Sequence, residues 1–295
     1  MAISDNLRGA LYMNLSMFGF TVNDTFMKAV TQDVPLYQAI ALRGVIALIG
    51  LLLVARLTHS FTLALPRHAS GLIVLRSLAE VAATILFLTA LMHMPLANLS
   101  AVMQVTPLAV TLGAALYYKD KIGWRRMTAI LIGFAGVMII LRPGSDGFDV
   151  WSVMGLASVV AVVVRDLAVR PLPRDVPSMM VALGAAVAVT LMGLVGTLLQ
   201  GWHPVTLLQF AQISGAGVML IIGYICAVTA MRVGDVGFVA PFRYMSLMWA
   251  ILLGWTVFGS LPDLWALFGA LIVVATGIYT LWRERKRRLD PPVKA

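Results

Sequence analysis

The sequence has little charge and almost no cysteine. Charged residues make up 12% of the 295 positions, hydrophobic residues make up 60%, and there is one cysteine. So apolar a composition excludes an ordinary soluble domain. Cys226 alone cannot form an intrachain disulfide or a thiolate metal cluster, and its simplest role is that of a small buried hydrophobe. The composition predicts a protein that is dissolved in lipid.

Catalytic motifs are missing as well. No glycine-rich loop is followed by a lysine and a hydroxyl, which argues against ATP hydrolysis by this chain. No Ser, His and Asp set stands out, and the histidines fall in or beside connections without metal-ligand spacing: His59, His68, His93 and His203. We therefore expect no enzyme activity, no cofactor and no metal site.

Long apolar runs are what the sequence does contain. A chain of this length holds about ten spans of roughly 20 residues with short connections. The predicted spans are 8–30, 35–55, 70–92, 97–118, 124–141, 150–170, 177–199, 207–230, 235–258 and 263–282. The first run is too long for a cleaved signal peptide, and polar residues stand where a cleavage site would be expected. The sequence predicts an all-α integral membrane protein with ten transmembrane helices.

Basic residues collect on alternate connections between the spans. On one side they are Arg56, Arg67, Lys119, Lys121, Arg125, Arg126, Arg170, Arg174, Arg232 and the tail residues Arg283, Arg285, Lys286, Arg287 and Arg288. The other connections hold Asp33, Asp146, Asp149 and Asp263, with Arg142 as the exception. Lys and Arg mark the cytoplasmic side, so we expect both termini in the cytoplasm. The net charge of +9 then indicates contact with anionic lipid rather than with nucleic acid.

A weak internal repeat divides the chain into two halves. Residues 89–91 (TAL) match 229–231 (TAM), and the spacing from Trp124 to Gly136 equals that from Trp265 to Gly277. Five spans in each half would invert the second half relative to the first, as in many secondary transporters. We predict a first repeat over 1–145 and a second over 146–295 with a basic tail; chance similarity between apolar helices is the alternative.

Two spans combine a proline with polar residues, and they occupy corresponding places in the halves. The span at 97–118 contains Asn98, Gln104, Thr106 and Pro107, and the stretch at 234–258 contains Pro241, Arg243 and Tyr244. Proline removes a backbone hydrogen bond, and a guanidinium in hydrocarbon is costly. Such segments are expected to line a transport site rather than to face lipid.

Ionisable residues inside spans are the sharpest candidates for function, because each is costly there unless it is paired or hydrated. We single out Asp24, Arg43, Glu80 and Arg243. Asp24 with Lys28, and Arg76 with Glu80, have the four-residue spacing of helical ion pairs. Structural ion pairing and snorkelling to an interface are the alternatives, and they apply above all to Arg76, Arg165 and Asp166 near span ends.

Aromatic and amide side chains complete the predicted substrate site. Phe87, Gln104, Tyr224, Tyr244 and Trp249 lie on candidate cavity helices. They would suit an amphipathic solute with an apolar or ring-shaped body, although packing between helices is the simpler role for any one of them.

Residues at span ends and small residues suggest structural roles. Belt positions at the membrane interface are indicated for Tyr117, Tyr118, Trp124, Trp265 and Trp282. Close helix packing, or a dimer face, is indicated for Gly133, Gly136, Gly269 and Gly277.

These features resemble a known family. The ten spans in two inverted halves, with ALMHMPLANLSAV at 90–102 and APFRYMSLMWAILLGWTVFG at 240–259, resemble the drug/metabolite transporter superfamily, EamA type. Within it the chain is most similar to the bacterial YddG group of aromatic amino acid and metabolite exporters. The resemblance implies a basket of ten helices around a central cavity and alternating access without ATP.

We expect an inner-membrane transporter or facilitator that exports amino acids and related amphipathic metabolites, as a monomer or homodimer. Arg243 or Arg43 would meet a substrate carboxylate, and Asp24 and Glu80 are the carboxylates that could relay protons. The alternatives are uptake of a cofactor-like solute such as riboflavin or S-adenosylmethionine, a lipid-modifying membrane enzyme, and a purely structural membrane protein.

Overall fold

A computed structural model describes residues 4–58, 67–119, 123–144, 149–171 and 178–289. Of the positions discussed above, His59, Lys121, Asp146 and Arg174 lie outside the described residues. The described parts form helices α1 Asp5–Val30, α2 Leu36–Leu57, α3 Arg67–His93, α4 Leu96–Met103, α5 Thr106–Tyr118, α6 Trp124–Leu141, α7 Val150–Val169, α8 Ser178–Gln200, α9 Leu207–Val233, α10 Val236–Val239, α11 Met245–Phe258 and α12 Leu264–Leu289, with a 3₁₀ turn at Ala240–Tyr244.

The predicted membrane spans coincide with these helices. In the described part of the chain, nine segments are long and apolar enough to cross a membrane, and they match the second to tenth predicted spans within a few residues. The first predicted span corresponds to α1, a helix of 26 residues that includes the polar residues Asn14, Asn23 and Asp24. The prediction of an all-α, multi-pass membrane fold is confirmed.

Prolines stand where helices begin. Pro35 and Pro95 directly precede α2 and α4, and Pro107 lies in the first turn of α5. Proline is tolerated there because the first backbone N–H groups of a helix have no partner within the helix. At the other end of a span, Gly259 terminates α11 with φ 64°, a left-handed conformation that suits glycine.

The chain divides into two compact units. Unit one comprises Met1–Thr21, Pro95–Asp149 and Gly223–Ala295, and unit two comprises Val22–Met94 and Val150–Ile222. In unit one α6 packs along α12 and α4 packs on α11, whereas in unit two α3 packs on α7 and α8, and α2 packs on α8. Each unit therefore draws helices from both halves of the sequence. The predicted repeats, 1–145 and 146–295, divide the sequence rather than the compact units, and this division stays a prediction.

Close packing of α6 on α12 depends on two glycines. A Cβ atom on Gly269 would lie 2.5 Å from the carbonyl oxygen of Gly136, and one on Gly136 would lie 2.9 Å from the carbonyl oxygen of Gly269. No real Cβ atom approaches a backbone atom so closely. The predicted role of these glycines in helix packing is confirmed. Gly277 makes a second tight contact, since its Cβ would meet the Tyr244 ring and hydroxyl.

Arg142, the exception in the charge pattern, is paired. Its guanidinium forms an ion pair with Asp263, which directly precedes α12. The pKa of the Asp263 carboxyl is lowered, first by the backbone N–H of Ala266, which donates to it at 2.7 Å, and also by Arg142. Arg142, which departs from the charge pattern, is thus paired with Asp263 at the start of α12 in unit one.

Candidate functional site

The first proline-containing span is interrupted as predicted. α4 ends at Met103, α5 begins at Thr106, and Pro107 is in the first turn of α5. Pro107 has no N–H, so it cannot bond the carbonyl of Met103 four residues earlier. The hydroxyl of Thr106 donates to that carbonyl oxygen at 2.5 Å instead. A side chain thereby replaces the missing backbone donor, which a break inside a membrane requires.

The second proline-containing span is interrupted at the corresponding place. α10 ends at Val239, the 3₁₀ turn Ala240–Tyr244 contains Pro241, and α11 begins at Met245. Here the hydroxyl of Ser246 donates to the carbonyl oxygen of Arg243 at 3.1 Å. Each break is therefore accompanied by a hydroxyl side chain that satisfies a carbonyl within it.

The two breaks meet in unit one. The amide nitrogen Nε2 of Gln104, which lies between α4 and α5, donates to Oγ of Ser246 at 2.7 Å. The Gln104 side chain is buried, where an unbonded amide would be costly. Segments 142 residues apart in sequence are thus joined through one amide and one hydroxyl at the points where their helices are interrupted.

Arg243 and Tyr244 adjoin this junction but differ in environment. Tyr244 is buried with 6% exposure, and its hydroxyl has no hydrogen-bond partner among the described residues. Arg243 is exposed. A buried hydroxyl without a partner is uncommon in proteins. The junction therefore offers one cationic group at a surface of unit one and one unsatisfied hydroxyl within it.

A further polar contact on α11 involves Trp249. Its indole Nε1 donates to Oδ1 of Asn14 on α1 at 2.9 Å. Its ring packs edge-on against Phe18 with 4.9 Å between centroids, and Tyr224 makes a similar contact with Phe20 at 6.4 Å. Trp249 and Tyr224 of the predicted site therefore contact residues of α1 that were not among the predicted site residues. Asn14 is a polar residue inside an apolar span, which is the signal that could have identified it.

In unit two, Asp24 and Arg43 are linked by hydrogen bonds through Asn23. The guanidinium of Arg43 donates to Oδ1 of Asn23 at 3.3 Å, and the amide of Asn23 donates to Oδ1 of Asp24 at 2.9 Å. Arg43 is buried and interacts electrostatically with both Asp24 and Glu80. These contacts offset part of the cost of burying a guanidinium, while Nε of Arg43 has no hydrogen-bond partner among the described residues.

Glu80 is the acceptor for two further arginines. Arg165 on α7 binds it at 3.2 Å, and Arg76 lies 3.6 Å away at the predicted four-residue spacing on α3. Arg165 also pairs with its neighbour Asp166 at 2.9 Å, and Arg76 donates to the carbonyl oxygen of Val181 at 3.4 Å. The predicted Arg76–Glu80 pair is confirmed, and the network links α3 to α7 and α8.

Lys28 contributes a positive charge at the end of α3. Its Nζ donates to the carbonyl oxygens of Leu91 and Met94 at 2.5 and 2.8 Å. The last carbonyls of a helix lack partners within the helix and carry partial negative charge, so an ammonium stabilises them. Its predicted pairing with Asp24 stays a prediction. Phe87 is half-buried on α3.

The nine residues of the predicted substrate site thus fall into two sets. Unit one holds Gln104, Tyr224, Arg243, Tyr244 and Trp249, and unit two holds Asp24, Arg43, Glu80 and Phe87. The first set is aromatic and mostly uncharged, and it surrounds interrupted helices. The second set is mostly charged and forms ion pairs and hydrogen bonds within unit two. Ser246, Asn14 and Arg165 are additional members that their contacts reveal.

A multi-pass helical protein with two interrupted spans has the features of a membrane transporter. Residues 7–142 match the EamA-like transporter family. The chain is 33% identical over 193 residues to a riboflavin transporter of Vibrio cholerae, a match that covers 64% of either chain. It therefore spans just under two thirds of that relative's length.

A longer match joins the chain to the pseudopaline exporter CntI of Pseudomonas aeruginosa, at 25% identity over 94% of this chain and 97% of that protein. A crystal structure with 18% sequence identity superposes with a TM-score of 0.67 over 94% of this chain and 98% of the other, and so shares its fold. Residues 7–142 thus resemble the EamA-like transporter family, and the relatives that match more of the chain are named as transporters.

Proposed function

We propose that this chain is an inner-membrane secondary transporter that exports amino acids and related amphipathic metabolites by alternating access. The observation that carries the proposal is the Gln104–Ser246 hydrogen bond between two interrupted helices, with the exposed guanidinium of Arg243 beside it. Interrupted helices are where transporters of several folds bind their substrates. The near full-length similarity to an exporter supports the direction.

Arg243 would bind the substrate carboxylate, and the aromatic residues would contact its apolar part. Guanidinium groups bind carboxylates through paired hydrogen bonds. The arginines Arg76 and Arg165 in unit two already interact with Glu80. Their charges are engaged within the protein, which makes Arg243 the better candidate for a substrate anion. Asp24, Arg43, Glu80 and Phe87 of unit two stay predicted residues of the substrate site.

Uptake of riboflavin is the second candidate function. The Vibrio relative is named a riboflavin transporter, and the junction of the breaks consists mainly of neutral hydrogen-bonding and aromatic groups. Such groups suit an uncharged heterocycle as well as they suit an amino acid. S-adenosylmethionine, the other cofactor-like solute considered, carries a carboxylate that would bind Arg243, but none of the junction residues Gln104, Arg243, Tyr244 and Ser246 is acidic and could balance its sulfonium cation.

A counterflow assay in proteoliposomes separates these functions. Liposomes loaded with phenylalanine, leucine, riboflavin or S-adenosylmethionine are tested for uptake of the labelled solute. We expect exchange of amino acids, and we expect Arg243→Gln to reduce it while Arg232→Gln, at an exposed arginine on α9, leaves it unchanged. Riboflavin exchange that is indifferent to Arg243→Gln would favour the second function. Failure of all four solutes with well-folded protein would contradict both.

A further inference from the structure

A groove between α6 and α12 lies apart from the interrupted helices. Its volume is about 430 Å³, and eight residues line it: Trp124, Arg125, Thr128, Ala129, Ile132, Ala275, Thr276 and Tyr279. Small side chains on both helices, such as Ala129 and Ala275, leave this space open. Further along the pair, Gly136 and Gly269 bring the backbones into contact. The groove therefore results from the small side chains and the close packing of this helix pair.

The lining changes from apolar to cationic along the groove. Ile132 and the two alanines form an apolar floor, whereas Trp124 and Arg125 stand at the first turn of α6. The Arg125 guanidinium lies 5.2 Å from the Trp124 ring centroid. None of the eight lining residues is acidic. The groove thus combines a hydrocarbon-like wall with a positive charge at one end.

Aromatic and basic residues of α12 continue this end of the groove. Tyr279 lies 6.2 Å from Trp282 between ring centroids, and Nζ of Lys286 lies 5.8 Å from the Trp282 ring. Trp124 and Trp282 are 73% and 55% exposed, as residues of an interfacial belt are expected to be. Aromatic rings next to cations on a membrane protein mark the depth at which lipid headgroups lie.

We propose that this groove binds an anionic phospholipid, with one acyl chain along Ala129, Ile132 and Ala275 and the phosphate beside Arg125 and Lys286. The apolar floor of the groove matches the acyl chain, and its cationic end matches the phosphate. Its volume lies within the range of about 300–1,000 Å³ typical of small-ligand sites. A polar metabolite would leave the apolar floor without a partner, and a zwitterionic lipid would gain less from the two cations.

The test uses purified full-length protein and native mass spectrometry, with phosphatidylglycerol and phosphatidylcholine as the probes. We expect phosphatidylglycerol to be retained more strongly, and we expect Arg125→Gln to weaken its binding about fivefold. Arg56→Gln is the matched control, since Arg56 is an exposed arginine on the same predicted membrane side and outside the groove. Equal losses in both variants would indicate general surface charge and overturn the proposal.

A second variant tests the acyl-chain contact without changing charge. Ala275 is exposed, so Ala275→Phe should fill the groove while the protein stays folded, as gel filtration can verify. We expect this variant to retain less phosphatidylglycerol. Unchanged retention would contradict the proposal, as would a wild-type mass spectrum in which a second copy of the chain is bound and is lost with Ala275→Phe.

Discussion

Glu80 is the carboxylate on which two arginines of unit two converge, and replacing it gives a quantitative test of the network. Glu80→Gln would remove one of the two carboxylates that pair with Arg165 in the described residues, and it would deprive Arg76 of its ionic partner. Removing one partner of a fully buried ion pair costs about 3–5 kcal/mol. The Glu80 and Arg165 side chains are each 24% exposed, so we expect a smaller loss, of about 1–3 kcal/mol in the free energy of unfolding.

The assay follows helical circular dichroism while the protein is titrated with SDS in mixed micelles. Asp166→Asn is the matched control, because Arg165 then retains Glu80, and its effect should be smaller. The double variant Glu80→Gln/Arg76→Gln also removes the arginine that would lose its ionic partner, and it should recover a substantial part of the stability. Glu80→Gln as stable as the wild type, or a double variant less stable than the single one, would refute the reasoning.

The same variant distinguishes structural pairing from proton relay. A purely structural Glu80 predicts that flux per folded molecule still responds to a pH gradient in Glu80→Gln. A relay through Glu80 predicts that the response disappears, since an amide cannot carry the proton. Asp24→Asn provides the parallel measurement at the other candidate carboxylate.

Two further changes have defined outcomes. Gly269→Ala should lower the free energy of unfolding by about 1–3 kcal/mol in the same SDS titration, because its Cβ would lie 2.5 Å from the Gly136 carbonyl oxygen. Gly71→Ala should be neutral or slightly stabilising, because among the described residues its Cβ would meet no atom within 4 Å beyond its own helix backbone and chain neighbours. Equal effects of the two changes would contradict the packing argument. The pKa of Asp263 is lowered in the folded protein. Its contribution to stability should therefore be present above its ordinary pKa of about 3.9 and disappear as pH falls through the lowered value. Thermal unfolding of Asp263→Asn should lack this acid-dependent loss of stability, and an unchanged loss in the variant would assign it to other groups.

The local features of the fold could be predicted because each depends on residues close together in sequence. Pro107 and Pro241 predict the two helix interruptions through the hydrogen bonds that proline cannot make. The spacing of Arg76 and Glu80 predicts an ion pair on one helix. Apolar run length predicts the spans, and the polar residues of α1 explain why the first span is the least apolar.

The contacts between distant segments could not be predicted in this way. Gln104 and Ser246 are each ordinary polar residues, and nothing in the sequence shows that they meet. Asn14 and Trp249 are 235 residues apart, and their contact depends on how α1 packs on α11. The composition of the two units is the largest such case. α3 packs on α7 and α8 across the boundary between the sequence halves, so the halves do not form separate compact bodies.

The hydroxyls at the two breaks also bear on the kind of solute that could bind there. In transporters with broken helices, free backbone carbonyls commonly coordinate a cation. Here the carbonyls of Met103 and Arg243 each accept a hydrogen bond from Thr106 or Ser246, so they are poorer ligands for an ion. The guanidinium of Arg243 is an exposed donor beside the junction, whereas the hydroxyl of Tyr244 is buried against Gly277. A guanidinium donor binds the acceptor oxygens of an organic anion, in keeping with the proposed organic metabolite.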